Sequence, residues 1–144
     1  MGCDIHAHIE VKIEGYWYHY AQIDINRDYN LFSLMGNVRN VNPKEEGYIE
    51  PLSDNRGLPE DSTFLTRFDC NRWKTDAHSH SWLSAQELFF VCAWLEKGSF
   101  NTVERKIRDT FGYVFGNYIN DFIRFPDDTP EGVEDIRLVF WFDN

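Results

Sequence analysis

Four of the five histidines in this chain stand in two Asp-x-His-x-His runs, Asp4-Ile5-His6-Ala7-His8 and Asp76-Ala77-His78-Ser79-His80. On an extended strand, residues i and i+2 point the same way, about 6.5–7 Å apart. Two imidazoles at that spacing can converge on one ion with bonds of about 2.0–2.1 Å. An aspartate two residues earlier shares the face, and can be a third ligand or hold an imidazole in the required tautomer. If the two runs meet, His6, His8, His78 and His80 with Asp4 and Asp76 make a mixed imidazole–carboxylate set. Such a set suits zinc, manganese, iron or nickel; zinc or manganese is the expected divalent ion. Four imidazoles on one ion would close the site and make it structural. Two or three leave a position for water and permit metal-activated hydrolysis. The plainer alternative is a solvated strand face for His6 and His8, with His78 and His80 capping backbone in a loop. His19, alone in an aromatic segment, reads as a packing histidine.

The elements that position these residues follow from periodicity. Cys3 to Ile13 alternates: Ile5, Ala7, Ile9, Val11 and Ile13 fall on one side and Asp4, His6, His8, Glu10 and Lys12 on the other. That is a half-buried strand. Glu14-Gly15 marks a turn, and Tyr16 to Ile23 completes a hairpin. Tyr29 to Val38 reads as a short helix with Asp28 as N-cap. From Arg39 to about Lys74 the chain is irregular, broken by Asn42-Pro43, Pro51, Asp54-Asn55-Arg56-Gly57 and Leu58-Pro59. The second histidine run is expected in a loop at the far end of this stretch. Ser84-Ala85-Gln86-Glu87 is a capping box that opens a helix from Ala85 to Lys97. Further helices are expected over 102–110 and 113–125. Asp135 to Asp143, apolar on both faces near its end, reads as a central closing strand. The fold expected is α+β in a single domain, 1–144: a small antiparallel sheet of the N-terminal hairpin and the C-terminal strand. Helices pack on one face, and a long irregular loop faces the polar side.

Composition narrows the function classes. The chain has 144 residues, 42% hydrophobic and 17% aromatic, enough for a core. No run of about 18 apolar residues points to a membrane span, and the N-terminus carries no signal-peptide pattern, so a cytoplasmic location is expected. Cys3, Cys70 and Cys92 then read as reduced thiols; Cys3, beside the first histidine run, is core or a soft ligand. Fourteen basic against 24 acidic residues give a net charge of −10, which argues against a surface built to hold duplex nucleic acid. A small anionic ligand held by a few arginines, or docking on a basic protein surface, stays open.

Two further residues are candidates for ligand binding. Arg56, in a turn shaped by Gly57 and Pro59, can grip a phosphate or carboxylate as a fork, or pair with a local acid. Trp82, with Trp73 and the tyrosines Tyr16, Tyr18 and Tyr20, can stack on a base-like ligand, or serve as core and rim.

Cys3-Asp4-Ile5-His6-Ala7-His8-Ile9-Glu10, Arg56-Gly57-Leu58-Pro59-Glu60-Asp61 and His78-Ser79-His80-Ser81-Trp82-Leu83 together resemble a group of small uncharacterised proteins encoded by bacteriophages and prophages. The resemblance spans the first two thirds of the chain. It implies a phage context, hence the host-cell cytoplasm, and lends no catalytic residue. The histidine runs and Arg56 lead to the expectation of a metal-dependent hydrolase acting on a phosphate-containing or nucleotide-like substrate; the phage context adds a second, a non-catalytic host-interaction protein. The latter would inhibit a host defence component or sequester a nucleotide signal.

Overall fold

The computed structural model describes residues 2–88 and 132–144. The helices expected over 102–110 and 113–125, and the part of the 85–97 helix beyond residue 88, lie outside them. The hairpin forms as expected from β1 (Asp4–Ile13) and β2 (Tyr16–Ile23). Its two-residue turn has Glu14 at φ 49 and Gly15 at φ 82, the left-handed pair that matches strand twist. That turn fixes the register, Ile13 opposite Tyr16 through to Glu10 opposite His19, with an irregularity beyond. The closing strand, Val133–Asp143, pairs antiparallel with β1, and residues 78–84 form a further strand on its other side. Numbered along the chain, β3 is His78–Ser84 and β4 is Val133–Asp143, and the sheet runs β2-β1-β4-β3. β4 is central, as its apolar residues on both faces require.

One face carries the core. Ile5, Ala7, Ile9 and Val11 of β1 lie with Leu138, Phe140 and Phe142 of β4 against α1 (Tyr29–Gly36), which supplies Leu31, Phe32, Leu34 and Met35. Asp28 starts α1 by accepting from the backbone N–H of Asn30 and Leu31 at 3.0 and 3.1 Å, two donors a helix cannot satisfy itself. Phe32 meets Phe142 edge-on at 5.1 Å. A side chain at Gly36 would come within 2.8 Å of the same Phe142 ring, so the helix approaches the sheet there only as glycine. Ser84 and Glu87 form the expected capping box, each accepting from the other's backbone N–H at 3.2 and 3.1 Å. The helical residues 85–88 bring Leu88 into the same core.

The other face is roofed by α2 (Phe64–Trp73), a helix within the stretch expected to be irregular. It is amphipathic in reverse. Thr66 and Cys70 are buried, Asp69 and Trp73 face the sheet, and Phe64, Leu65 and Phe68 are 77%, 53% and 56% exposed. The reason lies in the surface it covers, which is the polar side of β1. Three to four residues advance a helix by about 5–6 Å, close to the strand repeat of two residues. Thr66 therefore meets Glu10, Asp69 meets His8 and Trp73 meets His6.

Glu10 anchors this roof. Its carboxylate is fully buried and accepts from Arg137 Nε at 2.8 Å, Thr63 N–H at 2.8 Å and Thr66 Oγ1 at 2.9 Å. Thr63 is the N-cap of α2 but makes no side-chain capping bond, so Glu10 stands in as the anion at the helix start. Arg137 also donates to Asp61 at 2.8 Å and lies 3.9 Å over the Trp17 ring. Among the described residues, no helix is long and apolar enough to cross a membrane.

Removing one member of a buried, hydrogen-bonded pair leaves a stranded charge, at a cost of about 3–5 kcal/mol. Arg137→Met should therefore lower the unfolding free energy by about that much in urea titrations. Glu10→Leu/Arg137→Met should cost less than the two single changes summed. Additive losses would mean that the two groups are not energetically coupled.

Candidate functional site

The polar side of β1 carries His6 and His8, and both are engaged. His6 Nε2 lies 2.6 Å from Asp143 Oδ2. Asp143 sits opposite Asp4 on β4, one diagonal step from His6 on the same face. His8, 2% exposed, uses both ring nitrogens: Nε2 lies 2.7 Å from Asp69 Oδ2 and Nδ1 2.9 Å from His19 Nε2. The carboxylate calls for a proton on His8 Nε2, so the Nδ1···Nε2 contact shares the one proton left between the two rings. The result is a continuous chain, Asp69–His8–His19, running from α2 through the sheet face to β2. A proton taken up at the outer nitrogen of His19 can pass from its Nε2 to His8 Nδ1, leaving an imidazolium held against Asp69.

The second histidine run lies on an edge strand, β3, rather than in a loop. Its register against β4 slips between His78 and Ser81, where Ser79 takes φ 54, a bulge that turns the two histidines toward different neighbours. His78 stacks at 6.2 Å from Phe142, and His80 at 6.5 Å from Trp141. Trp141, wholly buried, is also 5.8 Å from His6 and 5.4 Å from His8. One indole on the central strand is thus the neighbour shared by both runs. Trp73 covers His6 from α2 at 4.2 Å.

Neither motif aspartate joins the imidazoles. Asp4 is exposed and held in a two-pronged bond by Arg27, 2.9 Å at each oxygen; those bonds keep its carboxyl below the ordinary range. Asp76 is exposed in a turn of 3-10 helix, Lys74–Asp76. Asp69 and Asp143 take the carboxylate roles instead. Among the described residues, no group of three or more His, Cys, Asp or Glu side chains is set to hold a metal ion. Among the described residues, three ring nitrogens are buried without a hydrogen bond: His78 Nε2 and the indole nitrogens of Trp73 and Trp141.

Arg56 pairs with a local acid, Glu87, at 2.6 and 2.7 Å, donates to the Trp82 carbonyl at 2.9 Å and lies 4.5 Å over the Trp82 ring. Burial pushes the Glu87 carboxyl up, but Arg56 and Ser84 outweigh it and bring it below its usual value. Arg56 and Trp82 form one stack at the β3 edge. Cys3 is buried in the apolar core, and its thiol is pushed up by that burial.

Burial, and then the neighbouring His8, lower the pKa of His19 below 6.5; burial, and then His78, lower that of His80. For a base whose folded pKa is depressed, the unfolded chain takes up the proton first on acidification. The associated stability is full above about pH 6.5 and is lost as pH falls toward the lower folded value. Melting temperature should therefore drop through that window, and less so in His19→Gln/His80→Gln. Parallel profiles for the two proteins would show that these imidazoles carry none of the dependence.

No family model, no curated protein and no solved structure matches the chain.

Proposed function

We propose that the histidine face is a hydrolytic site for a phosphate-containing or nucleotide-like substrate, working by proton transfer along Asp69, His8 and His19. The observation that carries this reading is His8, a buried imidazole with a titratable partner on each nitrogen. Asp69 fixes its tautomer and stabilises its cationic form, while His19, nearer the solvent, removes a proton from the attacking water. Imidazole N–H groups are donors suited to an oxyanion. His80, on the Trp141 side of the sheet with His6 and His8, is the imidazole that would hold a divalent ion, zinc or manganese. Such an ion, when bound, would lower the pKa of a water or polarise a phosphoryl oxygen. The resemblance to small bacteriophage proteins favours a substrate found in the host, such as a nucleotide signal.

The test combines elemental analysis of protein purified without a histidine tag with turnover of phosphomonoesters, phosphodiesters and cyclic nucleotides, with and without chelator. Loss of general acid–base catalysis costs about 10²–10⁴-fold. His19→Ala and Asp69→Asn should each lower kcat by at least the smaller of these, with little change in KM. Absence of turnover across the panel would sink the hydrolytic reading. Metal-free protein whose melting is unchanged by chelator would remove the ion from it.

A second reading, a non-catalytic host-interaction protein, is favoured by the outward face of α2. Phe64 and Phe68 stack there at 5.9 Å, 77% and 56% exposed, an apolar patch of the kind that marks docking sites. On this reading a partner binds without turnover. Phe64→Ser/Phe68→Ser abolishes that binding, whereas His19→Ala leaves it intact.

A further inference from the structure

We infer, on the hydrolytic reading of this face, that His6 is its general acid, and that the substrate is a phosphodiester whose leaving group is an alcohol such as a sugar hydroxyl. The proton path through His8 leaves His6 unused, yet His6 is held in the same manner. Nε2 of each imidazole meets a carboxylate oxygen, 2.6 Å to Asp143 for His6 and 2.7 Å to Asp69 for His8. The two carboxylates come from different elements, the end of β4 and the middle of α2. One indole lies against the His6 ring from α2 at 4.2 Å, and a second from β4 at 5.8 Å. With Nε2 engaged and the ring hemmed in, Nδ1 is the nitrogen left to act. It makes no hydrogen bond among the described residues, and it is not one of their buried, partnerless nitrogens, which belong to Trp73, His78 and Trp141. The same holds for Nδ1 of His19.

Two imidazoles on one face, each with an unengaged nitrogen, let one take a proton while the other gives one. His6 is two residues along β1 from His8, and His19 touches His8 from β2, so both serve the same side of the sheet. In-line displacement at phosphorus sets the entering and leaving oxygens on opposite sides, where one group cannot reach both. Water attacks phosphorus as one of its protons passes to His19 Nδ1. The new P–O bond forms as the bond to the leaving oxygen breaks, and that oxygen takes the Nδ1 proton of a cationic His6. The products are a phosphomonoester and a free hydroxyl. His6 ends neutral with its Nε2–H still on Asp143, and the proton gained at His19 returns to it through solvent.

A second proton device selects the substrate. A leaving group that departs as a stable anion, from a phosphoanhydride or an aryl ester, gains little from an acid; an alkoxide leaves poorly without one. Charge narrows the phosphate further. The chain carries a net charge of −10. A phosphomonoester, at about −1.5 to −2 near neutral pH, is repelled more by that field than a diester with its single charge.

The test gives the full chain two diesters, a dinucleoside monophosphate and bis(p-nitrophenyl) phosphate, whose leaving groups are an alcohol and an acidic phenol. His6→Gln, folded by circular dichroism, should lower kcat on the dinucleotide by about 10²–10⁴-fold and largely spare the aryl diester. His19→Gln should lower both. A series of alkyl and aryl diesters on the unaltered chain gives a readout free of substitutions: kcat/KM should vary little with the acidity of the leaving group. Equal losses on the two substrates in His6→Gln, no loss on the dinucleotide, or a steep leaving-group dependence in the unaltered chain would overturn the role of His6 and leave the hydrolytic reading standing. Turnover of phosphomonoesters alone would overturn the substrate class in the same way. Turnover of nothing would overturn both.

Discussion

A carboxylate stripped of water must find donors, and where Glu10 finds them dictates the polar half of the molecule. One donor, Arg137, lies 127 residues away on the central strand; the others are Thr63 and Thr66, at the start of α2. A single buried anion therefore ties three distant segments together. Desolvating it is worthwhile only because both of its oxygens are answered. Asp61, exposed and held below its usual pKa by Arg137, extends the network to the surface.

Once the start of α2 is fixed over Glu10, the rest of its inner stripe has little choice. Helix rise and strand repeat are nearly commensurate, so the residues after Thr66 are delivered to His8 and His6 in turn. The histidine chain is a by-product of that docking. Asp69 reaches His8 because α2 is already seated, and His19 reaches it because a two-residue turn sets the hairpin register. The position of His8 is thus held by elements whose own stability comes from elsewhere.

Much of this was legible in the sequence and some was not. The alternation from Asp4 to Ile13, the Asp28 cap, the Ser84–Glu87 box and the closing strand each follow a local rule, and each stands in the structure. The place of His19 follows from the hairpin rather than from its aromatic neighbours: a two-residue turn at Glu14-Gly15 sets it opposite Glu10, on the face of His6 and His8. α2 was hidden for a physical reason. Phe64, Leu65 and Phe68 face outward while Thr66 and Asp69 face inward, so a search for an apolar stripe finds the wrong side. β3 was hidden by the bulge at Ser79, which breaks the alternation that would have marked a strand. Spacing alone makes the aspartates of the two motifs partners of the imidazoles. The carboxylates that hold the histidines come from positions that only the tertiary fold brings near.

The inverted polarity of α2 also sets the thermal character of its attachment. Heat capacity and denaturant sensitivity of an opening scale with the apolar surface it uncovers. α2 is held largely by ion-paired and hydrogen-bonded groups, and its phenylalanines are already in water. Lifting it would uncover Trp73, Cys70 and the Trp141 indole together with the ion-paired groups, so that step would answer to urea as well as to salt and acid.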